Sequence, residues 1–250
     1  MSITSEQVKF FEDHGYLTRL DVHDTSEAAV VREAFDKLEL WEGRDECIIG
    51  LHGRHIDRRF IWELATNAKT LDCIAALMGP DIIVLSTHFF CKYPQTTDKF
   101  VAWHQDVTYW GLEPPDALTA WYAVDDSDVE NGCMRVIPGS HRQGILPHGK
   151  SDRSGNLLSI NQEIEADVDD GQAVDLVLKA GQISIHHGHL IHGSNPNHSE
   201  RRRCGLAISY CPPHVKPVRA NSLDRVWPAV LARGQDPFHH FGDWKLKFTN

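Results

Sequence analysis

The sequence predicts a mainly β protein, an antiparallel sandwich or jelly roll with helices placed before it, on three observations. After Pro80 come short runs rich in β-branched and aromatic residues, namely IIVLSTHFF, LTAWYAV, CMRVIP, VDLVL, QISIHH and CGLAISY, separated by Gly, Pro, Asn and Asp. That is the rhythm of short strands joined by turns. Before Pro80 the apolar residues recur instead at steps of three and four, the helical period. The chain has 250 residues, 41% of them apolar and 24% charged, with 7 Trp. It is long enough to bury one sizeable core, and a single domain over 1–250 is the expectation.

In chain order, a first helix is expected over Ser5–His14, with Val8, Phe10 and Phe11 as its apolar positions and Gly15 as its stop. A second runs over Thr25–Trp41, where Ala29, Val30, Ala34, Phe35, Leu38 and Trp41 make the face expected to pack on the core. Ile61, Leu64, Leu71, Ile74, Leu77 and Met78 predict one further helix or a pair, closed by Gly79-Pro80. Residues 1–80 are thus expected to be mostly helical and 81–212 to form the β core. Part of 147–173 and the whole of 213–250 read as loops and covering segments.

The formal charge of −10 repels a nucleic-acid duplex unless a local basic patch overcomes it. Arg201-Arg202-Arg203 is too short for that, and its first two members read as a solvated turn. The N-terminal MSITSEQVKFFEDHGYL has no apolar stretch long enough for a signal peptide or a span, so a cytoplasmic location without a membrane partner is expected. Six cysteines without a CxxC pair are expected to be free thiols. Sixteen histidines are the anomaly, and five of them, His186, His187, His189, His192 and His198, lie close together. Such a cluster points to a metal.

In Trp103-His104-Gln105-Asp106, an extended backbone places His104 and Asp106 on one face of a strand. One imidazole and one carboxylate, with a second histidine from elsewhere, form the facial triad that leaves three positions of iron(II) open. The second histidine has to come from 186–198. His192 and Arg203 stand symmetrically about the turn-forming Asn195-Pro196-Asn197-His198-Ser199, so a hairpin there brings them together. The planar fork of Arg203 suits the distal carboxylate of a dicarboxylic cosubstrate. This geometry favours His192 over its competitors His186, His187 and His189. His186 and His187 point to opposite faces of a strand, so at most one looks inward.

Three stretches, WHQDVTYWG at 103–111, AWYAVDDSDVENGCMRVIPGSH at 120–141 and AGQISIHHGHLIHGSNPNHSERRRCGLAISYCPP at 180–213, resemble the phytanoyl-CoA dioxygenase family of iron(II)/2-oxoglutarate oxygenases. The resemblance covers nearly the whole chain. It implies a double-stranded β-helix, a cupin-like jelly-roll barrel, with the N-terminal helices packed outside it. It also implies His104, Asp106 and His192 as iron ligands, Arg203 and Ser194 at the 2-oxoglutarate carboxylate, and Trp121 and Lys92 lining that pocket. For Trp121 the competing expectation is a core aromatic, and for Lys92 a solvated edge residue. The Asn131-Gly132 and Pro138-Gly139-Ser140-His141 stretches also match, but turn geometry accounts for them, and His141 is not expected to be a ligand.

The activity implied is oxidation of a small molecule, hydroxylation above all, with Fe(2+), 2-oxoglutarate and O2 consumed to succinate and CO2. An aliphatic halogenase of the same family lacks the carboxylate that Asp106 supplies here. A zinc hydrolase built on the same three ligands and a non-catalytic jelly-roll binding protein are the rival functions. Thr108, Tyr109 and Trp110 follow the metal strand, while Arg54, His55, Arg58 and Arg219 lie in segments that could cover the mouth. They lead to the expectation of a polar or anionic small-molecule substrate.

Overall fold

Helices form where caps and apolar spacing agree. In the computed structural model, which describes residues 3–94, 97–158, 162–218 and 226–248, Thr4 begins α1 (Ser5–His14) with a reciprocal capping box to Gln7, and Gly15 at φ 82° ends it. Next come β1 (Tyr16–Asp21), α2 (Thr25–Glu42), α3 (Arg44–Ile48), β2 (Ile49–Gly50), α4 (Arg59–Ala65) and α5 (Ala68–Met78). Asp24 caps α2 with Glu27 in the same reciprocal way. The face that α2 buries is Ala28, Phe35 and Leu38, whereas Val30 and Trp41 are 67% and 81% exposed. The buried face is therefore rotated from the expected one, because Val31, packed against the core, continues the Ala28-Phe35-Leu38 stripe and Val30 does not.

The β region contains β3 (Ile82–Lys92), β4 (Val101–His104), a helical turn α6 (Val107–Trp110), β5 (Leu112–Glu113), β6 (Leu118–Ala123) and β7 (Met134–Val136). It continues with β8 (His148–Lys150), β9 (Gln162–Ile164), β10 (Val174–Leu176), β11 (Gln182–His187), β12 (His192–Ser194), β13 (Arg203–Cys211), β14 (Lys216–Pro217) and β15 (Val230–Arg233). A main antiparallel sheet runs β1-β11-β6-β13-β3-β15, with β2 also on β3, and a smaller one runs β10-β7-β12-β4. Together they make the jelly roll. Two regions differ from expectation: β1 and β2 are strands within the stretch expected to be helical, and β14 and β15 are strands within the covering tail. Tyr16, Leu17 and Leu20 explain β1, since pairing with β11 buries all three.

Strands β6 and β13 are buried along their whole length, since both faces of the main sheet are covered. One face, including Tyr122, Leu206, Ile208 and Tyr210, joins Phe35, Ile61 and Ile74 of the helices in one core. Alternation sends Thr119, Trp121, Arg203 and Ala207 to the other face, which lines an internal cavity. The six cysteines are free and buried, and no helix among the described residues is long and apolar enough to cross a membrane.

Candidate metal centre

The last residue of β4, His104, pairs across the small sheet with the first of β12, His192. Each Nδ1 lies 2.9 Å from a carbonyl two residues back, Ala102 for His104 and Leu190 for His192. A carbonyl only accepts, so each Nδ1 carries a proton and Nε2 is the ring nitrogen left to turn to a metal. Both Nε2 atoms lie 3.6 Å from Asp106 Oδ1. Among the described residues, His104, Asp106 and His192 are the one group of three whose donor atoms converge this way, within 4.8 Å of one another. The other carboxylate oxygen, Oδ2, accepts from the Thr119 hydroxyl at 2.8 Å and from His186 Nε2 at 3.2 Å. Burial opposes the Asp106 charge, but the imidazoles of His192, His104 and His186 outweigh it and hold the carboxyl well below its usual range. Burial, then His104, pushes His192 well below the ordinary imidazole value. Two imidazoles and one carboxylate suit iron(II) and leave half of an octahedral shell open.

Two of the predicted geometries are corrected. Strand β4 stops at His104, and Asp106 has helical angles, φ −59° and ψ −38°, at the start of α6. The buried Gln105 causes the break: its amide donates to the Gly144 and His189 carbonyls and its oxygen accepts from Leu146 N–H. His192 and Arg203 do not flank a hairpin either. They lie in opposite sheets, and residues 195–202 arch between them, held by Asn197, which donates to the carbonyls of Arg201 and Lys92 and accepts from Ser199. Arg201 is surface-paired with Asp128 and Glu130. Arg202 is not solvated as expected: its guanidinium lies over Phe35 and pairs with Asp125, Asp36 and Glu39.

Arg203 stands opposite Lys92 in the β13–β3 register. Arg203 donates from Nε and Nη2 to the Gly132 carbonyl at 3.1 and 2.7 Å, and Ser194 Oγ is 3.4 Å from Nη2. Lys92 donates to Ser194 Oγ and the Asn195 carbonyl. It is 2% exposed, so it is not a solvated edge residue: the 195–202 arch and Gly132 cover it. A Cβ on Gly132, at φ 75°, would sit 2.3 Å from the Asn195 oxygen, so this close approach needs glycine. Among the described residues neither cation has a carboxylate partner. Burial pushes Lys92 far down, with the Arg203 charge second, and pushes Arg203 down as well. Two buried cations without a counter-ion make an anion site. Trp121 is both core aromatic and cavity wall, with its ring centroid 5.3 Å from the Arg203 guanidinium.

The triad, Trp121, Ser194 and Arg203 line a space of about 440 Å³. A second space of about 510 Å³ adjoins it, sharing His88, Phe90, His104 and Asp106 and adding His52, Tyr109, Trp110 and Trp227. Tyr109 sets its ring edge-on to His104, and its hydroxyl is buried without a protein partner. Thr108 lines neither space; its hydroxyl donates to the Gln105 carbonyl. Arg54 is bound to Glu42 and Asp57, and Arg58 to Glu42. His55 is fully buried between Thr87 and the Pro228 carbonyl. None of these three reaches either space, because acidic neighbours and a carbonyl hold them elsewhere. Arg219 lies outside the described residues. Sequence reasoning missed His52, His88 and Thr119, and took His186 only as a rival ligand, whereas it anchors Asp106 Oδ2. His88 and Phe90 were detectable, since they alternate with Lys92 along β3.

A family model described as Phytanoyl-CoA dioxygenase (PhyH) matches residues 11–205. Peroxisomal phytanoyl-CoA dioxygenase of Homo sapiens is 26% identical over 92% of this chain and 75% of its own length. A probable alpha-ketoglutarate-dependent hypophosphite dioxygenase of Stutzerimonas stutzeri is 25% identical over 82% of this chain and 78% of its own. Among solved structures, the non-heme monooxygenase ThoJ, without metal, superposes with a TM-score of 0.74 at 28% identity, covering 96% of this chain and 85% of its own. CytC3 with Fe(II) and alpha-ketoglutarate has the same fold, with a TM-score of 0.71 at 22% identity over 96% of this chain and 92% of its own. With the matched span and a donor set suited to iron(II), the chain belongs to the phytanoyl-CoA dioxygenase family of non-haem iron(II)- and 2-oxoglutarate-dependent oxygenases.

Proposed function

We propose that this chain acts as one catalytic unit that hydroxylates a small organic molecule, with O2 and 2-oxoglutarate converted to succinate and CO2. His104 Nε2, His192 Nε2 and Asp106 Oδ1 would hold the iron(II), which supplies the redox chemistry when bound. Arg203, Lys92 and Ser194 would hold the distal carboxylate of 2-oxoglutarate, with Trp121 as the wall beside it. The observation that carries this reading is the adjacency of a converging His-Asp-His set to the buried Arg203, which among the described residues lacks a carboxylate partner and is joined to Lys92 through Ser194. Thr119 and His186 fix one carboxylate oxygen and leave the other for the metal. The two backbone carbonyls fix the tautomer of each histidine. The polar or anionic substrate expected from Arg54, His55 and Arg58 loses its support, because these groups are engaged elsewhere.

The test is anaerobic addition of iron(II) and 2-oxoglutarate, followed by absorption spectroscopy and then by succinate release on exposure to O2. Arg203→Ala is expected to raise the 2-oxoglutarate KM by the equivalent of about 1.5–3 kcal/mol, with iron affinity little changed. Arg201→Ala, whose parent is a surface ion-pair residue, should leave it near wild type. A larger effect at Arg201 than at Arg203 would refute the assignment.

A further inference from the structure

Among the described residues, the space beside the triad is walled mainly by rings and has no Lys or Arg. His52 and His88 stack with centroids 5.2 Å apart and planes 27° apart, and Phe90 tilts against His88 at 4.7 Å. Tyr109, Trp110 and Trp227 continue the wall. The Trp227 indole N–H is already donated to the Trp110 carbonyl at 3.0 Å, so Trp227 offers ring surface alone. Among the described residues no Lys or Arg lines this space, and Asp106 is its one carboxylate. Among the described residues a multiply charged anion entering it would meet no side-chain cation other than the histidines, on a chain whose net charge is −10. Flat rings, by contrast, gain contact by offset or edge-on packing.

Among the residues that line this space, Tyr109 carries a polar atom without a protein partner. Tyr109 is 8% exposed and its hydroxyl is buried and unpaired. Such a group is costly unless a ligand completes it. A phenol carries its proton at neutral pH, so it meets a ligand as an O–H donor.

We propose that this cavity takes a neutral, flat ring system, aromatic or conjugated, bearing one hydrogen-bond acceptor set against the Tyr109 hydroxyl, and that coenzyme A thioesters and other polyanions are not its ligands. The assignment of this ligand as substrate rests on the oxygenase reading of the adjoining triad.

The test uses the full chain loaded anaerobically with iron(II) and 2-oxoglutarate, titrated calorimetrically with 2-acetonaphthone, 2-naphthoate, naphthalene and coenzyme A. The charge-transfer absorption of the loaded centre is recorded on the same samples. The ketone is expected to bind at least about tenfold more tightly than the carboxylate of the same ring, with coenzyme A weaker still. Tyr109→Phe should weaken the ketone about tenfold and leave naphthalene unchanged, which separates a lost hydrogen bond from a damaged fold. The proposal is overturned if 2-naphthoate or coenzyme A binds as tightly as the ketone. It is equally overturned if no ring compound binds, or if Tyr109→Phe lowers ketone and naphthalene alike. Absent charge-transfer absorption with the ring preference intact overturns the oxygenase reading and leaves the ligand class standing.

Discussion

Asp106 divides its oxygens between two tasks: Oδ1 faces the two imidazole Nε2 atoms, while Oδ2 is held by Thr119 and His186. On the proposed function, the hydroxyl at Thr119 would therefore act on a metal it does not touch. Thr119→Val, close in shape but without the O–H, is expected to weaken iron affinity about 10–100-fold. Anaerobic competition against a chelator measures this, and wild-type affinity would show that Oδ2 needs no anchor. The three donors are legible in the sequence because HxD and a distant histidine make a recognisable set. The anchors are not. Thr119 lies in a strand that reads as any other buried strand, and the proximity of His186 to Asp106 depends on which face of β11 turns inward. The burial of Lys92 is hidden for a similar reason: cover from Gly132 and the 195–202 arch is a long-range fact.

At the level of the strand, alternation is what assigns work. Along β6 and β13 successive side chains go alternately to the helical core and to the cavity, so one strand supplies both Leu206 to the fold and Arg203 to the site. Gly205 lies between them, beneath the Trp121 ring, where an added Cβ would come within 1.9 Å of ring carbon. Gly205→Ala is expected to cost about 1–3 kcal/mol of stability through overpacking and to raise the 2-oxoglutarate KM by displacing Trp121. Urea unfolding and steady-state kinetics report the two effects separately, and an unchanged KM would remove Trp121 from the cosubstrate wall. The six apolar runs after Pro80 all form strands, because β-branched and aromatic residues bounded by turn residues are local signals. The 195–202 arch looks like a hairpin in sequence because its Asn, Pro and Ser serve either connection, and only the partner strands decide. The α2 face reads one position off at Val30, since several apolar residues share that helix.

Taken whole, the molecule is fastened by a few buried polar ties between distant segments. His55 is one: Nε2 donates to the Pro228 carbonyl at 2.8 Å and Nδ1 meets the Thr87 hydroxyl at 3.1 Å. It joins the helical region, β3 and the C-terminal segment. Burial, against the opposing pull of the Pro228 carbonyl, lowers its pKa to about 4, whereas an unfolded histidine titrates near about 6.5. Above that value both states are neutral and the tie is at full strength. As pH falls from about 6.5 towards about 4, the unfolded chain takes the proton first, and stability drops by up to about 1.4 kcal/mol per pH unit from this residue. His55→Asn should be less stable at pH 7.5 and should lose less than wild type between pH 7.5 and 5.0. Urea midpoints at the two values check this, and equal losses would exclude His55 as the source.

The placement of His104 and His192 on one sheet and Arg203 on the other has a mechanical consequence. On the proposed function, a dicarboxylate gripped at one end by Arg203 and at the other beside the triad would be a bolt through two plates. Filling the site should brace the barrel as well as arm it. Iron(II) with 2-oxoglutarate at a hundred times its Kd is expected to add about 2.7 kcal/mol, and amide exchange should slow in β12 and β13 together. In Arg203→Ala the bolt has lost its nut: the metal alone should still protect β12, while the added protection of β13 disappears.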